Sequence, residues 1–382
     1  MAAKKKNKVV LADRPLLLAT LLLLGFGLIM VFSASAIMAQ QRFGSPYLFL
    51  RKQLLWDGFG VIVLLFGMRV DYHQWQRWSY ALLGIAFASL VTVLIFGRVI
   101  KGARRWIQFH GITFQPSELA KLALILWLAD YLDRRKSHLG QWKGFLPVVA
   151  VLGIVCATIL KEPDLGTPML LGTIGFMLMF LAGTPVSFLG GSVIATLPVL
   201  YYELFHVGYR QRRLMAFTNP WADAKGTGYQ LTQSLLAFGS GGLFGKGLGA
   251  STLKLLSLPD PHTDFIFPVI GEELGFVGAC GLILLFVFWG LRGWQAAKRA
   301  PDLFGQLLAA GLTSWVMLQA AINMGVSSGL LPTKGLPLPF VSFGGSSLVI
   351  TMFSVGILLN ISGQGYLGKV QDLRPARRKS SR

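Results

Sequence analysis

Long runs without a charged residue constrain this chain more than any other feature of its sequence. The first extends from Pro15 to Gln40, between Arg14 and Arg42, and similar runs recur along the chain. A helix that spans a bilayer needs about 20 mostly apolar residues. The sequence is 53% hydrophobic and only 14% charged, whereas soluble domains carry about 25% charged residues. These features predict a polytopic membrane protein and exclude a cytosolic enzyme, a secreted disulfide scaffold and a disordered chain.

Ten apolar segments predict an all-α fold of ten transmembrane helices. They cover residues 15–38, 53–69, 78–97, 117–132, 145–160, 168–183, 187–205, 265–291, 304–325 and 342–362. An even number places both termini on one side, and Lys and Arg concentrate on that side once the long loop 206–264 is left out. Cytoplasmic loops are biased towards Lys and Arg, so both termini are predicted to be cytoplasmic. The predicted parts are a basic N-terminus (1–14), a membrane domain (15–362) containing the large external loop, and a basic tail (363–382).

Basic residues also occur on the predicted external side, against this bias. They are Arg98, Lys101, Arg104 and Arg105 in one loop, and Arg210, Arg212, Arg213, Lys225, Lys246 and Lys254 in another. The net charge of +20 could indicate nucleic-acid binding, but the chain offers no basic soluble domain for it. Two interpretations stay open: solvated or lipid-facing loop surface, and a site for phosphate groups, which Arg and Lys bind by charge-assisted hydrogen bonds.

Ionisable residues within or beside the spans are functional candidates, because charges are costly in a bilayer. Glu118 and Lys121 are three residues apart on the fourth predicted span and can pair on one helix face, which favours a structural ion pair. Arg105 has no acid close to it in sequence. Asp164, in the short turn before the sixth span, is predicted to cap that span.

Asp264 is the strongest candidate, because it stands where the long external loop enters the eighth span. A partly desolvated carboxylate there would act as a general base, but Asp is also a favoured N-cap residue, and the residues alone leave both open. Glu272 and Glu273 lie two turns deeper, where two adjacent acids need partners. With one nearby His262 and no second ligand one turn away, a zinc site is not predicted.

Two segments rich in glycine or proline interrupt the helical pattern. Residues 238–249 contain Gly245-Lys246 but lack the Ser or Thr and the spacing of a P-loop, so ATP is not the predicted substrate. Such backbone at a membrane surface suits a re-entrant or cavity-lining loop. Residues 335–347 are too rich in Pro and Gly for a regular helix. Cys156 and Cys280 lie in apolar runs and are interpreted as small apolar side chains.

Together these motifs resemble the SEDS family, which includes FtsW and RodA. The resemblance rests on Arg105-Trp106 and on residues 115–121, 163–167, 262–275 and 331–347, in the same order across all ten spans. Residues 219–223, 270–275 and 331–335 resemble the FtsW type more than the RodA type. The resemblance implies a peptidoglycan glycosyltransferase that polymerises lipid II on the outer face of the bacterial inner membrane at the division septum. Its implied partners are a class B penicillin-binding protein transpeptidase and other division proteins.

The resemblance also implies roles for individual residues. Asp264 matches the family's essential aspartate and would deprotonate the acceptor sugar, while cations would stabilise the departing polyprenyl diphosphate. The candidates for substrate and diphosphate binding are Arg105, Lys246, Arg212 and Arg213, in falling order, with Glu118 and Lys121 matching the family's span-four motif. A divalent cation, Mg or Mn, could share this task; no other cofactor is expected. Leu253, Asp260, Glu162 and Phe343 stand where the family often has Gln, Glu, Gln and Tyr.

Three alternatives compete with the septal polymerase. One is a RodA-type elongation polymerase of the same family. The second is a lipid II flippase, for which Glu272 and Glu273 would be the required residues near the membrane midplane. The third is a noncatalytic scaffold that recruits the transpeptidase.

Overall fold

The computed structural model describes residues 13–100, 103–109, 112–251, 262–332 and 335–378. Lys101, Lys254, Lys334 and nearly all of the basic N-terminus lie outside them, as do Leu253 and Asp260. The helices are α1 (Arg14–Phe43), α2 (Leu48–Arg69), α3 (Tyr72–Phe96), α4 (Pro116–Arg134), α5 (Trp142–Leu160), α6 (Gly166–Leu181), α7 (Val186–Phe205), α8 (Gly208–Thr218), α9 (Tyr229–Gly241), α10 (Ile266–Arg299), α11 (Leu303–Ser327) and α12 (Gly345–Arg378). Short 3-10 turns cover Lys136–His138 and Pro220–Asp223.

Each of the ten predicted segments overlaps one of these helices, which confirms a helical membrane architecture. Within the described residues, seven helices are long and apolar enough to span a bilayer: α1, α3, α5, α7, α10, α11 and the part of α12 up to Tyr366. Of the others, α2 and α4 contain several charged residues, and α6 has only 16 residues. The number of ten spans and the orientation of the termini stay predictions.

A small antiparallel sheet between α3 and α4 departs from the all-α expectation. Its strands are β1 (Arg98–Ile100), β2 (Ala103–Phe109) and β3 (Ile112–Phe114), in the order β1-β2-β3. Arg98 pairs with Trp106 and Ile107 with Phe114. The segment is rich in β-branched and aromatic residues, which favour strands. β1 and β3 have only three residues each, too few for a hydropathy pattern to reveal them.

The helices differ sharply in burial. Every residue of α4 from Pro116 to Leu132 except Leu119 is buried, whereas no residue of α7 is. Close approach at the centre requires glycine: a Cβ atom at Gly27 of α1 would lie 2.4 Å from the backbone oxygen of Phe340. The loop 335–344, to which Phe340 belongs, therefore packs directly against the backbone of α1.

The eighth predicted span is not one continuous helix. Gly275 breaks α10 with φ 68° and ψ −167°, a conformation that favours glycine. A Cβ atom there would lie 2.3 Å from the backbone nitrogen of Gly245. Beyond the break, the backbone N–H groups of Phe276 and Val277 donate to Gly242 and Leu243 at 2.9 and 3.1 Å. The glycine-rich segment is thus a tight loop packed into the break, and residues 266–274 form a separate first segment of α10.

We call the end of the bundle with the sheet, the α5–α6 turn and the loop 335–344 the site end. Ion pairs and caps tie the other end together. Arg292 of α10 donates to both carboxylate oxygens of Asp13, at 3.0 and 2.6 Å. Asp302 caps α11 through the N–H of Gly305 at 2.6 Å and accepts a hydrogen bond from the Tyr72 hydroxyl. Each of these contacts joins a helix end to another helix or to its own first turn.

Candidate functional site

Asp264 lies at the site end, in the turn 262–265 that leads into α10. Phe265, rather than Asp264, occupies the N-cap position of α10. The residue is half-buried. A Cβ atom added to Gly335 would lie only 2.6 Å from Asp264 Oδ2, so this carboxylate oxygen lies against the loop 335–344. The carboxylate therefore stands between a helix start and an irregular loop.

The loop 335–344 is fixed on both sides by hydrogen bonds. The N–H of Phe343 donates to the backbone oxygen of His262 at 2.9 Å. Just beyond the loop, the hydroxyl of Ser346 donates to the backbone oxygen of Thr113 in β3 at 2.8 Å. The loop thus connects the turn of the candidate carboxylate to the small sheet.

Two buried amide side chains on α11 hold the same loop. Nδ2 of Asn323 donates to the backbone oxygens of Leu336 and Asp264 at 2.6 and 2.8 Å. Nε2 of Gln319, one turn earlier, donates to the backbone oxygen of Pro337 at 2.9 Å. Neither residue is among the sequence-predicted site residues. The available signal was a pair of amides four residues apart in a largely apolar span.

Glu118 and Lys121 form the ion pair that their spacing predicts. Lys121 Nζ lies 2.9 Å from each carboxylate oxygen of Glu118, and both side chains are buried. The ammonium also donates to Oε1 of Gln319 at 2.8 Å and lies 5.0 Å from the centre of the Trp315 ring. Both charges are paired although they are buried. The contact of Lys121 with Gln319 links this pair on α4 to α11 at the base of the loop 335–344.

Arg105 of β2 forms hydrogen bonds with the backbone of the turn between α5 and α6. Its Nε donates to the backbone oxygen of Glu162 at 2.8 Å, and its Nη2 donates to that of Pro163. The Glu162 side chain is fully buried and its carboxyl oxygens have no hydrogen-bond partner among the described residues. Burial raises the pKa of Glu162 to about 8; nearby Asp164 adds to the rise and Arg105 opposes it. A protonated acid at neutral pH therefore lies beside a guanidinium group.

Asp164 caps α6, as the sequence predicts. Its Oδ1 accepts from the N–H groups of Gly166 and Thr167 at 2.9 and 3.2 Å, and its Oδ2 accepts from the Thr167 hydroxyl at 2.8 Å. A Cβ atom on Gly166 would lie 3.3 Å from Leu336, so the start of α6 contacts the loop 335–344. The turn held by Arg105 and the loop beside Asp264 are therefore neighbours.

The predicted cations of α8 lie near the same turn. The Tyr209 hydroxyl is 3.5 Å from the backbone oxygen of Pro163, and the Arg213 guanidinium lies 5.0 Å from the centre of the Tyr209 ring. Arg212 is exposed. Arg210, which the sequence analysis did not place in the site, is buried and forms an ion pair with Glu203. Burial lowers the pKa of Arg210, while Asp164 acts in the opposite direction.

Lys246 lies elsewhere, at the glycine-rich loop. Its Nζ donates to Oε1 of Glu272 at 2.8 Å, and the Ser251 hydroxyl donates to Oε2 of the same carboxylate at 2.5 Å. Glu273 accepts from the Ser33 hydroxyl of α1 at 2.8 and 2.6 Å. The two adjacent acids thus have the partners that the sequence analysis expected. Because eight helical residues rise about 12 Å, this ion pair is well removed from the carboxylate that precedes α10.

The predicted site residues therefore fall into two groups. Asp264, the Glu118–Lys121 pair, Arg105 and the α8 arginines surround the loop 335–344 and the α5–α6 turn, whereas Lys246 pairs with an acid deeper in α10. Within the described ranges, no three His, Cys, Asp or Glu side chains cluster as a metal site would require.

A bundle of apolar helices with a half-buried carboxylate and arginines at one end defines a polytopic membrane protein with a polar site at its surface. The model of the cell cycle protein family FtsW/RodA/SpoVE matches residues 14–366, and the chain belongs to this family. It is 44% identical to the probable peptidoglycan glycosyltransferase FtsW of Geobacter metallireducens, covering 92% of this chain and 94% of that protein. It is 43% identical to the stage V sporulation protein E of Bacillus subtilis, covering 92% and 96%.

Solved structures share the fold. A chain of a peptidoglycan synthase complex, studied for the coordination of polymerization and crosslinking, matches with a TM-score of 0.78 and 27% identity, covering 93% of this chain and 98% of that one. The rod shape determining protein RodA of Thermus thermophilus matches with a TM-score of 0.70 and 28% identity over the same shares. The membrane bundle as a whole, rather than a part of it, is common to these proteins.

Proposed function

We propose that this protein is a peptidoglycan glycosyltransferase that polymerises lipid II into glycan strands during cell division. The observation that carries the proposal is the placement of Asp264, half-buried at the start of α10 and facing the loop 335–344. The relatives named as FtsW glycosyltransferases cover nearly the whole chain, which supports the same reaction here. Septal action rests on the FtsW resemblance; elongation by a RodA-type polymerase is the alternative role.

Asp264 acts as the general base in this proposal. Its carboxylate takes the proton from the 4-hydroxyl of the acceptor's GlcNAc, and that oxygen attacks the anomeric carbon of the donor's MurNAc. The bond from the anomeric carbon to the diphosphate breaks, and polyprenyl diphosphate leaves with the electron pair. A positioned base accelerates such a step by about 100-fold or more. The half-buried position keeps the carboxylate accessible to a sugar hydroxyl.

Cations near the α5–α6 turn stabilise the charge that develops on the leaving diphosphate. Arg105 is the first candidate, because it lies at the turn adjoining the loop 335–344. Arg212 and Arg213 on the neighbouring α8 can add to the positive potential. Lys246 takes a lesser part, because Glu272 already accepts a hydrogen bond from its ammonium.

The proposed setting is the bacterial inner membrane, with ten spans, both termini in the cytoplasm and the site end outside. Asp264 and the arginines then face the compartment in which glycan strands are built. The partner is a class B transpeptidase with one membrane helix, a proposal supported by the similarity to a chain of a synthase complex that couples polymerization to crosslinking. The loop 206–264 belongs to this outer side.

The decisive experiment compares lipid II polymerisation by the wild type and by Asp264→Asn, each purified with its cognate transpeptidase. The variant is expected to fold normally and to lose activity by about 100-fold or more, because Asn cannot accept the proton. Asp133→Asn, a half-buried acid at the opposite end, is the matched control and should polymerise normally. Substantial glycan synthesis by Asp264→Asn would exclude Asp264 as the general base. Inactivity of the wild type would reject the proposed polymerase function.

A lipid II flippase is the second candidate, and the break at Gly275 beside buried Glu272 and Glu273 favours it. Broken helices with polar residues are typical of transport pathways. The partners of both acids, Lys246 and Ser33, are consistent with structural roles instead. Lipid II translocation by the same preparations in liposomes separates the two, because a flippase would translocate without polymerising. A scaffold would do neither, and division would continue with Asp264→Asn.

A further inference from the structure

We propose that Asn323 and Gln319 are positioning residues that set the Asp264 carboxylate and the loop 335–344 in their reactive arrangement. The inference rests on the proposed glycosyltransferase function. Both side chains are almost fully buried, with exposed fractions of 2% and 0%. Neither touches a sugar or diphosphate in the proposed reaction; each acts through backbone groups that it holds.

Asn323 joins the two segments that form the site. Its Nδ2 donates one hydrogen bond to the backbone oxygen of Asp264 and one to that of Leu336. Both neighbours are acceptors, so the NH₂ group of Asn323 faces them and uses both of its hydrogens. One side chain therefore fixes the distance between the carboxylate's backbone and the loop that the carboxylate faces.

Gln319 extends this connection to the charged interior. Its Oε1 accepts hydrogen bonds from Lys121 and from the indole of Trp315, at 2.8 and 2.9 Å. Its Nε2 donates to Pro337, the residue after the one that Asn323 holds. The Glu118–Lys121 pair, the loop and Asp264 are thus joined through two amides on one face of α11.

This arrangement explains why a buried ion pair on α4 lies so close to a reaction site at the surface. The pair anchors Gln319, and the amides in turn anchor the loop. A displacement of about 1 Å at a reacting group can cost 100-fold in rate, so small changes in these hydrogen bonds should appear in the chemical step. Substrate affinity should change little, because the arginines that attract the diphosphate lie on other elements.

The test uses the full-length protein and three variants on α11. Asn323→Asp keeps size and shape but presents an acceptor to two carbonyl oxygens. Gln319→Glu removes the donor to Pro337, while Lys121 offsets the new charge, so its effect should be smaller. Thr313→Val is the matched control: Thr313 is buried on the same helix, and its hydroxyl has no hydrogen-bond partner among the described residues.

The first measurement is hydrogen exchange of the backbone amides, which does not depend on activity. Asn323→Asp should accelerate exchange in residues 262–265 and 335–344 relative to the wild type and Thr313→Val, with residues 186–205 unchanged. Unchanged protection of the two site segments in a folded Asn323→Asp protein would overturn the proposal. If Asn323→Asp does not fold, the same comparison with Gln319→Glu decides.

The second measurement is the kinetics of lipid II polymerisation. Asn323→Asp should lower kcat by about 100-fold and leave KM within about threefold of the wild-type value, as expected when an interaction acts only in the transition state. A normal kcat would overturn the positioning role, even if stability falls. If the wild type itself does not polymerise lipid II, the proposed glycosyltransferase function is rejected. The exchange measurement would still decide whether the two amides hold the two segments.

Discussion

Two arginines, one at each end of the bundle, use their guanidinium groups differently. At the opposite end, Arg292 meets the carboxylate of Asp13. At the site end, Arg105 donates to the backbone oxygen of Glu162 and not to its carboxyl group, although that carboxyl group is buried nearby. Side-chain pairs join helices and neutralise charge. Hydrogen bonds from a side chain to the backbone fix the shape of a loop instead. They do not neutralise the charge of the side chain, which stays available to interact with substrate.

The largest effect should come from breaking the Glu118–Lys121 pair, in which both side chains are buried. Lys121→Met leaves Glu118 buried without its ammonium partner and should cost about 3–5 kcal/mol in unfolding free energy. The double variant Glu118→Gln/Lys121→Met should recover much of that loss, as measured by denaturant unfolding in detergent. Additive losses in the double variant would contradict a structural pair. Inactivity of a stable double variant would show that the pair also serves the reaction, as the contact of Lys121 with Gln319 predicts.

The next effect comes from removing the arginine at each end of the bundle in turn. Arg105→Met should lower kcat for lipid II polymerisation by about 100-fold, the cost of losing one donor to a developing anion, with a modest change in stability. Arg292→Met should lower the unfolding free energy by about 3 kcal/mol, since it leaves Asp13 unpaired, while the folded fraction polymerises normally. The same pattern in both variants, in kinetics and in thermal unfolding, would erase the distinction between the ends.

The last effect depends on pH and concerns the buried acid of the site end. Folded protein holds the Glu162 proton up to about pH 8, whereas the unfolded chain releases it near pH 4.3. The contribution of Glu162 to the free energy of unfolding is therefore fully present below about pH 4 and is lost as the pH rises to about 8. Glu162→Gln should raise the melting temperature at pH 8–9, with the gain disappearing towards pH 4. A gain independent of pH would contradict a titrating Glu162.

Much of the membrane architecture could be read from composition, because lipid-facing and buried helices both require apolar residues. All ten predicted segments overlap helices. The pairing of Glu118 with Lys121 and the capping by Asp164 also followed from sequence, since both are local interactions within a few residues. The sheet at Arg98–Phe114 and the break at Gly275 did not follow, because each depends on contacts that hydropathy does not record.

The sequence by itself determined the membrane class, the local pairs and, through its motifs, the candidate Asp264. Only the tertiary structure decided that Gln319 and Asn323 hold the loop beside Asp264. It also decided that Arg105 donates to backbone carbonyl oxygens and that Lys246 forms an ion pair with Glu272. These contacts join residues far apart in the chain. A side chain's partners are set by how helices pack, and one sequence read along its length carries no distance between elements.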